Sequence, residues 1–229
     1  MKSNTFKLTS LIAAGLLALL IVPAAQAEDP MGELFQNLVP VENARMGMAY
    51  IDSEADFSVF KRVMILDTYV AFRSGWQQDQ RRGTRRVNVT ASDMERIKRD
   101  VADLFTTVFT ETLEADDGYE VVDAPDYDVL LLRPAIIDLD VTAPDTMSAG
   151  RSRTFTSTTG SATLYIELYD SVSGQILGRA ADRTNIRNNM GTVTWSNRVT
   201  NSADARRMFS RWAGFLRDFL DEHYMELTE

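Results

Sequence analysis

Cysteine is absent from this 229-residue chain, histidine occurs once, at His223, and beyond residue 27 the only lysines are Lys61 and Lys98. Without cysteine there can be neither a disulfide nor a thioether-linked lipid, so stability in an oxidising compartment rests on the core alone. One histidine and no thiol also exclude the ordinary transition-metal ligand sets, and no metal or cofactor is expected. A Ser-His-Asp mechanism would have to use His223. That residue falls in the last turns of an amphipathic segment, where an imidazole ordinarily faces solvent or the helix dipole. The Gly-x-Ser-x-Gly, His-Glu-x-x-His and phosphate-loop patterns are missing as well. Ser58-Val59-Phe60-Lys61 has the Ser-x-x-Lys spacing of penicillin-binding enzymes. The Ser-Asp-Asn and Lys-Thr-Gly elements that complete such a site do not occur, so the tetrapeptide reads as the lead-in to a strand.

Only one long apolar run is present. Lys2 and Lys7 precede it, Leu8 to Val22 form it, and Ala25-Gln26-Ala27 closes it with the small-x-small pattern of signal peptidase sites. The run is shorter than the roughly 20 residues a membrane span needs, and no stop-transfer charges follow. Residues 1–27 are therefore expected to be a cleavable signal peptide, with the mature chain starting at Glu28. The expected location is the periplasm, with full secretion as the alternative, and with neither transmembrane segment nor lipid anchor after cleavage. Cleavage leaves 202 residues, the size of one ordinary domain. Without Lys2 and Lys7, 22 basic residues face 33 acidic ones, a net charge of −11. Nucleic acid is a poor partner for such a chain, because binding to it rests on neutralising phosphates.

The expected organisation is an extended lead-in over 28–56 and a single domain over 57–229. A strand is predicted from about Arg62 to Ala71, rich in β-branched residues. Ser92 with Glu95 has the spacing of a capping box. After it Met94, Ile97, Val101, Leu104, Phe105, Val108 and Leu113 lay one apolar stripe along a helix of about six turns. Asp116-Asp117-Gly118 ends the helix, with Gly118 suited to a left-handed C′ position. Further strands are predicted over 119–122, 128–141 and about 154–169. Pro134 marks a bulge or an edge in the second of them. In the third, Ala162, Leu164, Ile166 and Leu168 share one face. Asp170 to Gly174 reads as a hairpin turn into a partner strand from Gln175. The final helix starts near Ser202 and buries Met208, Trp212, Phe215, Leu216, Phe219 and Leu220. Helices do not alternate with strands, which favours α+β over a doubly wound sheet. The expected fold is an antiparallel or mixed sheet of four to five strands with two amphipathic helices packed on one face.

Asp56-Phe57-Ser58-Val59-Phe60-Lys61, running into an apolar strand, resembles the opening of the bacterial family known as domain of unknown function 3313. The segment Gly118 to Asp123, the turn Glu167 to Gly174 and the Arg211-Trp212-Ala213 helix are similar to that family in the same order. The resemblance runs over roughly residues 48 to 222. It implies an envelope protein of Gram-negative bacteria, where most members are lipoproteins; this chain departs from them in lacking the lipobox cysteine. No catalytic residue is known for the family, so the resemblance implies no site.

The residues that remain conspicuous are those from Arg73 to Arg86. Arg73, Arg81, Arg82, Arg85 and Arg86 surround Trp76 in an otherwise acidic protein, within what reads as a long loop. Guanidinium forks match carboxylates and phosphates, and indole faces stack on cations or sugars. The expected role is docking on envelope proteins or an anionic envelope component, by a non-enzymatic accessory subunit. Two alternatives stand beside it. A hydrolase working through carboxylates alone would draw on Asp67, Asp138 or Asp140 and bring two of them into one cleft. A homo-oligomeric structural subunit would expose an apolar sheet face. The aspartate groups at 123, 126 and 128, and at 138, 140 and 145, do not have calcium-loop spacing and read as solvated turns.

Overall fold

The structure is a computed structural model that describes residues 38–82, 88–141, 158–187 and 198–225, all within one unit, Asn37–Glu229. The leader, the loop at 143–152, most of the Asn-rich stretch and part of the arginine segment lie outside the described residues.

Eight strands form one mixed sheet, not four to five: β1 (Leu38–Pro40), β2 (Met48–Asp52), β3 (Arg62–Ile65), β4 (Tyr69–Phe72), β5 (Glu120–Val121), β6 (Val129–Val141), β7 (Thr158–Asp170) and β8 (Ile176–Arg187). Their order is β1-β2-β8-β7-β6-β3-β5, with β4 also paired to β6. The higher count has two local causes. The expected lead-in contributes the β1–β2 hairpin, whose second strand pairs antiparallel with β8. The single strand expected over 62–71 breaks after Ile65, and β3 and β4 run one after the other along the same edge of β6, both parallel to it. Pro134 falls where β3 has ended and β4 has not begun. Ile65 lies opposite Leu132 and Tyr69 opposite Ala135, so the missing N–H meets a gap in the ladder. The irregularity in β6 comes later, at Asp138 (φ 52°), where the register with β7 shifts between Ile137 and Asp140.

Three α-helices are described: α1 (Trp76–Arg82), α2 (Ala91–Leu113) and α3 (Arg198–Met225). The capping box of α2 sits two residues earlier than the Ser92–Glu95 reading. Thr90 is the N-cap; its hydroxyl accepts from Asp93 N at 3.1 Å, and its own N–H donates to the Asp93 carboxylate at 3.0 Å. At the other end, Asp116 and Asp117 take the left-handed conformation (φ 51° and 55°) that Gly118 was expected to supply. Gly118 is required for space instead, since a Cβ there would lie 2.2 Å from the Leu113 carbonyl oxygen. Arg217 of α3 donates to the Thr112 carbonyl at 3.0 Å, satisfying one of the orphan acceptors at the end of α2.

The two long helices cover one sheet face. Phe105, Phe109 and Leu113 from α2 and Phe209, Trp212 and Leu220 from α3 join Leu130, Leu132, Ile136, Ala162, Leu164, Ile166 and Leu168 in one buried cluster. The alternation read in β7 is present. The hairpin turn after it is held by Asp170, whose carboxylate accepts from Val172 N at 2.9 Å and Ser173 N at 2.7 Å. Those backbone donors hold its pKa below the usual carboxylate range.

Candidate functional site

The arginine segment is not one loop. Residues 76–82 fold as α1, and Trp76 at its start is 1% exposed, packed with Val89 against Phe72, Met94, Ile97 and Val141. Its ring stacks on Phe72 at 4.1 Å between centroids, and Nε1 donates to the Val141 carbonyl at 2.8 Å. An indole so enclosed offers no face to a ligand. Arg73 is held by Asp140 and Asp79, both at 2.7 Å, and these carboxylates raise its pKa above the ordinary guanidinium value. Arg81 and Arg82 are exposed on the last turn, with Arg81 also donating to the Val89 carbonyl at 3.3 Å. Arg85 and Arg86 lie outside the described residues. Of the six residues singled out, two are therefore tied into the fold and two face solvent.

The carboxylates of the hydrolase alternative are dispersed. Asp67 is exposed between β3 and β4, Asp140 is tied to Arg73, and Asp138 pairs with Arg183 at 3.3 Å. Asp126 and Asp128 grip Arg62 between them, and its guanidinium lowers both their pKa values. The Ser58 backbone N–H and hydroxyl both donate to Asp56, which caps a short 3-10 turn, as a strand lead-in would. His223 stands at hydrogen-bond distance, 2.8 Å, from the Phe219 carbonyl and lies against Phe57 and Phe219.

A different place in the fold has the shape of a site. Between the β1–β2 connection (residues 41–47), the inner face of β2, β7 and β8, and α3 lies a cavity of about 270 Å³. Phe109, Leu164, Ile166, Trp212, Phe215 and Phe219 line it, together with Ala49 and Ala180. The reason for the space is local. Ala49 and Ala180 are register partners on the helix side of β2 and β8, and side chains of a single methyl group leave room there that a larger aliphatic residue would fill. The connection above them is anchored at both ends: Val41 N donates to the Ala49 carbonyl at 2.9 Å, and Gly47 N donates to Asp182 at 3.1 Å. Asn43 at its tip takes the left-handed conformation, φ 58°. At the mouth Arg45 bridges to Asp218 and, at 3.6 Å, to Glu222, with Glu42 beside them. Trp212 Nε1 donates to Asp182 at 2.7 Å, so the carboxylate that anchors the connection also orients the indole in the cavity wall. Sequence reasoning missed this site, because 41–47 has no periodicity and small residues in a strand carry no signal of what lies opposite.

On the far sheet face Glu167 is 8% exposed although no strong apolar stripe surrounds it. The hydroxyls of Tyr165 and Tyr169 donate to it at 2.8 and 2.7 Å, and Arg179 and Arg133 approach at 3.2 and 3.4 Å. Burial, then the bond to Glu167, pushes the Tyr165 hydroxyl up to about 12.

Fold and geometry together define an α+β protein with an eight-stranded mixed sheet, helices on one face and a largely apolar cavity open at a charged mouth. The chain belongs to the family described as protein of unknown function (DUF3313), which matches residues 28–216. No curated protein matches it. Among solved structures it is similar to a PelC dodecamer from Paraburkholderia phytofirmans, at 12% identity over 74% of this chain and 96% of that one (TM-score 0.39). It is similar also to a Xanthomonas campestris protein of family DUF330, at 10% identity over 77% and 94% (TM-score 0.35). A third similarity is to a putative neuraminyllactose-binding hemagglutinin homolog from Helicobacter pylori, at 14% identity over 73% and 89% (TM-score 0.32). Among the described residues no helix is long and apolar enough to cross a membrane.

Proposed function

We propose that this is a non-enzymatic binding protein of the bacterial envelope, exported to the periplasm by residues 1–27, and that the cavity beneath residues 41–47 is its ligand site. The observation that carries the reading is the cavity itself: an apolar hollow with a few converging polar groups at its mouth is the usual form of a small-molecule site. Core packing seldom leaves such volumes empty, since interiors are filled to crystal-like density. The exposed Arg81 and Arg82, separated by two residues from Arg85 and Arg86 in the sequence, support a second contact with an anionic envelope component or an acidic partner surface.

The test is binding of decyl maltoside, a neutral single-chain probe, below its micelle concentration, read by Trp212 fluorescence and calorimetry. Ala180→Leu fills the cavity and should abolish binding while the protein stays folded, with a stability change of about 0.5–2 kcal/mol, as cavity-filling changes give. If the probe fails to bind, or binds the filled variant equally well, the cavity is not the ligand site.

One observation favours a second reading, the homo-oligomeric subunit. Met48, Ala181, Tyr165, Ala135 and Tyr69 are successive register partners across the sheet, on the face turned away from the helices. The two ends of this row, Met48 and Tyr69, are 52% and 64% exposed. Sedimentation of wild type against Met48→Lys with Tyr69→Lys tests it: an oligomer that falls to monomer in the variant supports the reading, and a wild-type monomer ends it.

A further inference from the structure

We infer that the cavity takes a single-chain amphiphile with a cationic head group, and that Arg45 occupies the head-group position until the ligand displaces it. This rests on the cavity being a ligand site. It adds the sign of the charge and the length of the chain.

The length follows from the volume. About 270 Å³ holds roughly nine groups of water size at about 30 Å³ each. That is the room an alkyl chain of about eight to ten carbons requires, and Phe109, Leu164, Ile166, Phe215 and Phe219 give it an apolar wall. Arg179, also among the lining residues, turns its guanidinium to Glu167 on the far sheet face at 3.2 Å, so it does not offer a charge to an anion in the cavity.

The sign follows from the mouth. Glu42, Asp218 and Glu222 face a single cation, Arg45, which leaves the rim with two negative charges in excess. An anionic head group would add a fourth negative charge to that rim. A cationic one would restore the balance once Arg45 had swung out. Arg45 is well placed to give way, because its side chain is 55% exposed and its partners Asp218 and Glu222 are 49% and 65% exposed. Exposed bridges of this kind contribute little to stability. An alkylammonium arriving with its chain in the cavity holds the same two carboxylates and adds the burial of its tail, which Arg45 cannot. Arg45 belongs to the connection whose ends are fixed at Val41 and Gly47, so its release frees the mouth without unpairing β1 from β2.

The experiment compares three ten-carbon probes on the exported protein, below their micelle concentrations and at low salt: decyltrimethylammonium, decanoate and decyl maltoside. The ammonium should bind at least about tenfold more tightly than decanoate, and that ratio should shrink as salt rises, because exposed charges are screened. Asp218→Asn with Glu222→Gln, two solvent-facing changes that leave the core intact, should erase the preference and leave decyl maltoside binding as it was. Arg45→Gln should strengthen ammonium binding several-fold by removing the competitor. Decanoate binding as tightly as the ammonium, or a preference that survives the double variant, overturns the cationic head group. In that event binding that Ala180→Leu still blocks leaves the ligand-site reading standing. Failure of all three probes overturns both.

Discussion

Two connecting segments of this protein invite comparison: residues 41–47, between β1 and β2, and residues 73–82, between β4 and the described end of α1. Each places an arginine between two carboxylates, Arg45 with Asp218 and Glu222, Arg73 with Asp79 and Asp140. They differ in what lies beneath. Under Arg73, Trp76 is packed into the fold at 1% exposure with its indole N–H satisfied, and the hollow beside it is the more open of the two; under Arg45 the sheet presents alanines beneath a deeper cavity. The lesson is that a rare, chemically versatile side chain is weak evidence of a site unless the backbone leaves it reachable. In this fold the tryptophan of the arginine-rich segment is structure, and the featureless segment covers the deeper cavity.

That contrast predicts unequal responses to mutation. Trp76→Ala should lower stability by about 3–5 kcal/mol, as truncation of a fully buried large aromatic does, read as a shift in the urea midpoint. A shift under about 1 kcal/mol would mean that the α1 packing is not formed in solution. Thr90→Ala, which removes the cap holding α2 next to Val89, should follow at about 1 kcal/mol in the same measurement. Arg73→Gln should come next. It breaks two part-exposed bridges and should lower stability by about 1 kcal/mol or less, whereas Arg45→Gln, with a more exposed arginine, should fall within about 0.5 kcal/mol. Equal effects of the two arginine changes would erase the proposed difference between a structural clamp and a gate. The smallest stability change per site is expected from Arg81, Arg82, Arg85 and Arg86 replaced together by glutamine, within about 0.5 kcal/mol at each in thermal melts. The same variant should lose salt-sensitive binding to vesicles rich in anionic lipid, if the arginines contact an anionic envelope component. Unchanged vesicle binding would remove that contact from the proposal.

The patterns that were legible in the chain share a physical basis. The stripe ending in Phe105, Val108 and Leu113 and the alternation Ala162-Leu164-Ile166-Leu168 repeat with the period of the backbone that carries them, so burial of one face follows from the order of the residues alone. The turn at Asp170 to Gly174 was legible for a similar reason, since a carboxylate that accepts two backbone N–H groups within three residues needs no distant partner. The α2 cap was displaced by two residues because Thr90-Asp93 and Ser92-Glu95 share the same spacing. Only the preceding chain, anchored by Val89 against Trp76, selects between them.

What the sequence by itself determined is therefore local or statistical: the export leader as an expectation, the absence of thiol and histidine chemistry, two amphipathic helices, the central strands, and the family. Tertiary structure decided the rest. Strands β1 and β2 contain five residues or fewer and have no period long enough to read; they exist because β8 offers an edge to pair with. Trp76 became core because β4, β6 and the start of α2 converge on it, and the cavity opened because two alanines, 131 residues apart in the chain, became register neighbours beneath an aromatic helix. Spacing along a chain encodes which face a residue takes, but which side chains meet across a gap depends on pairings that only the folded sheet makes.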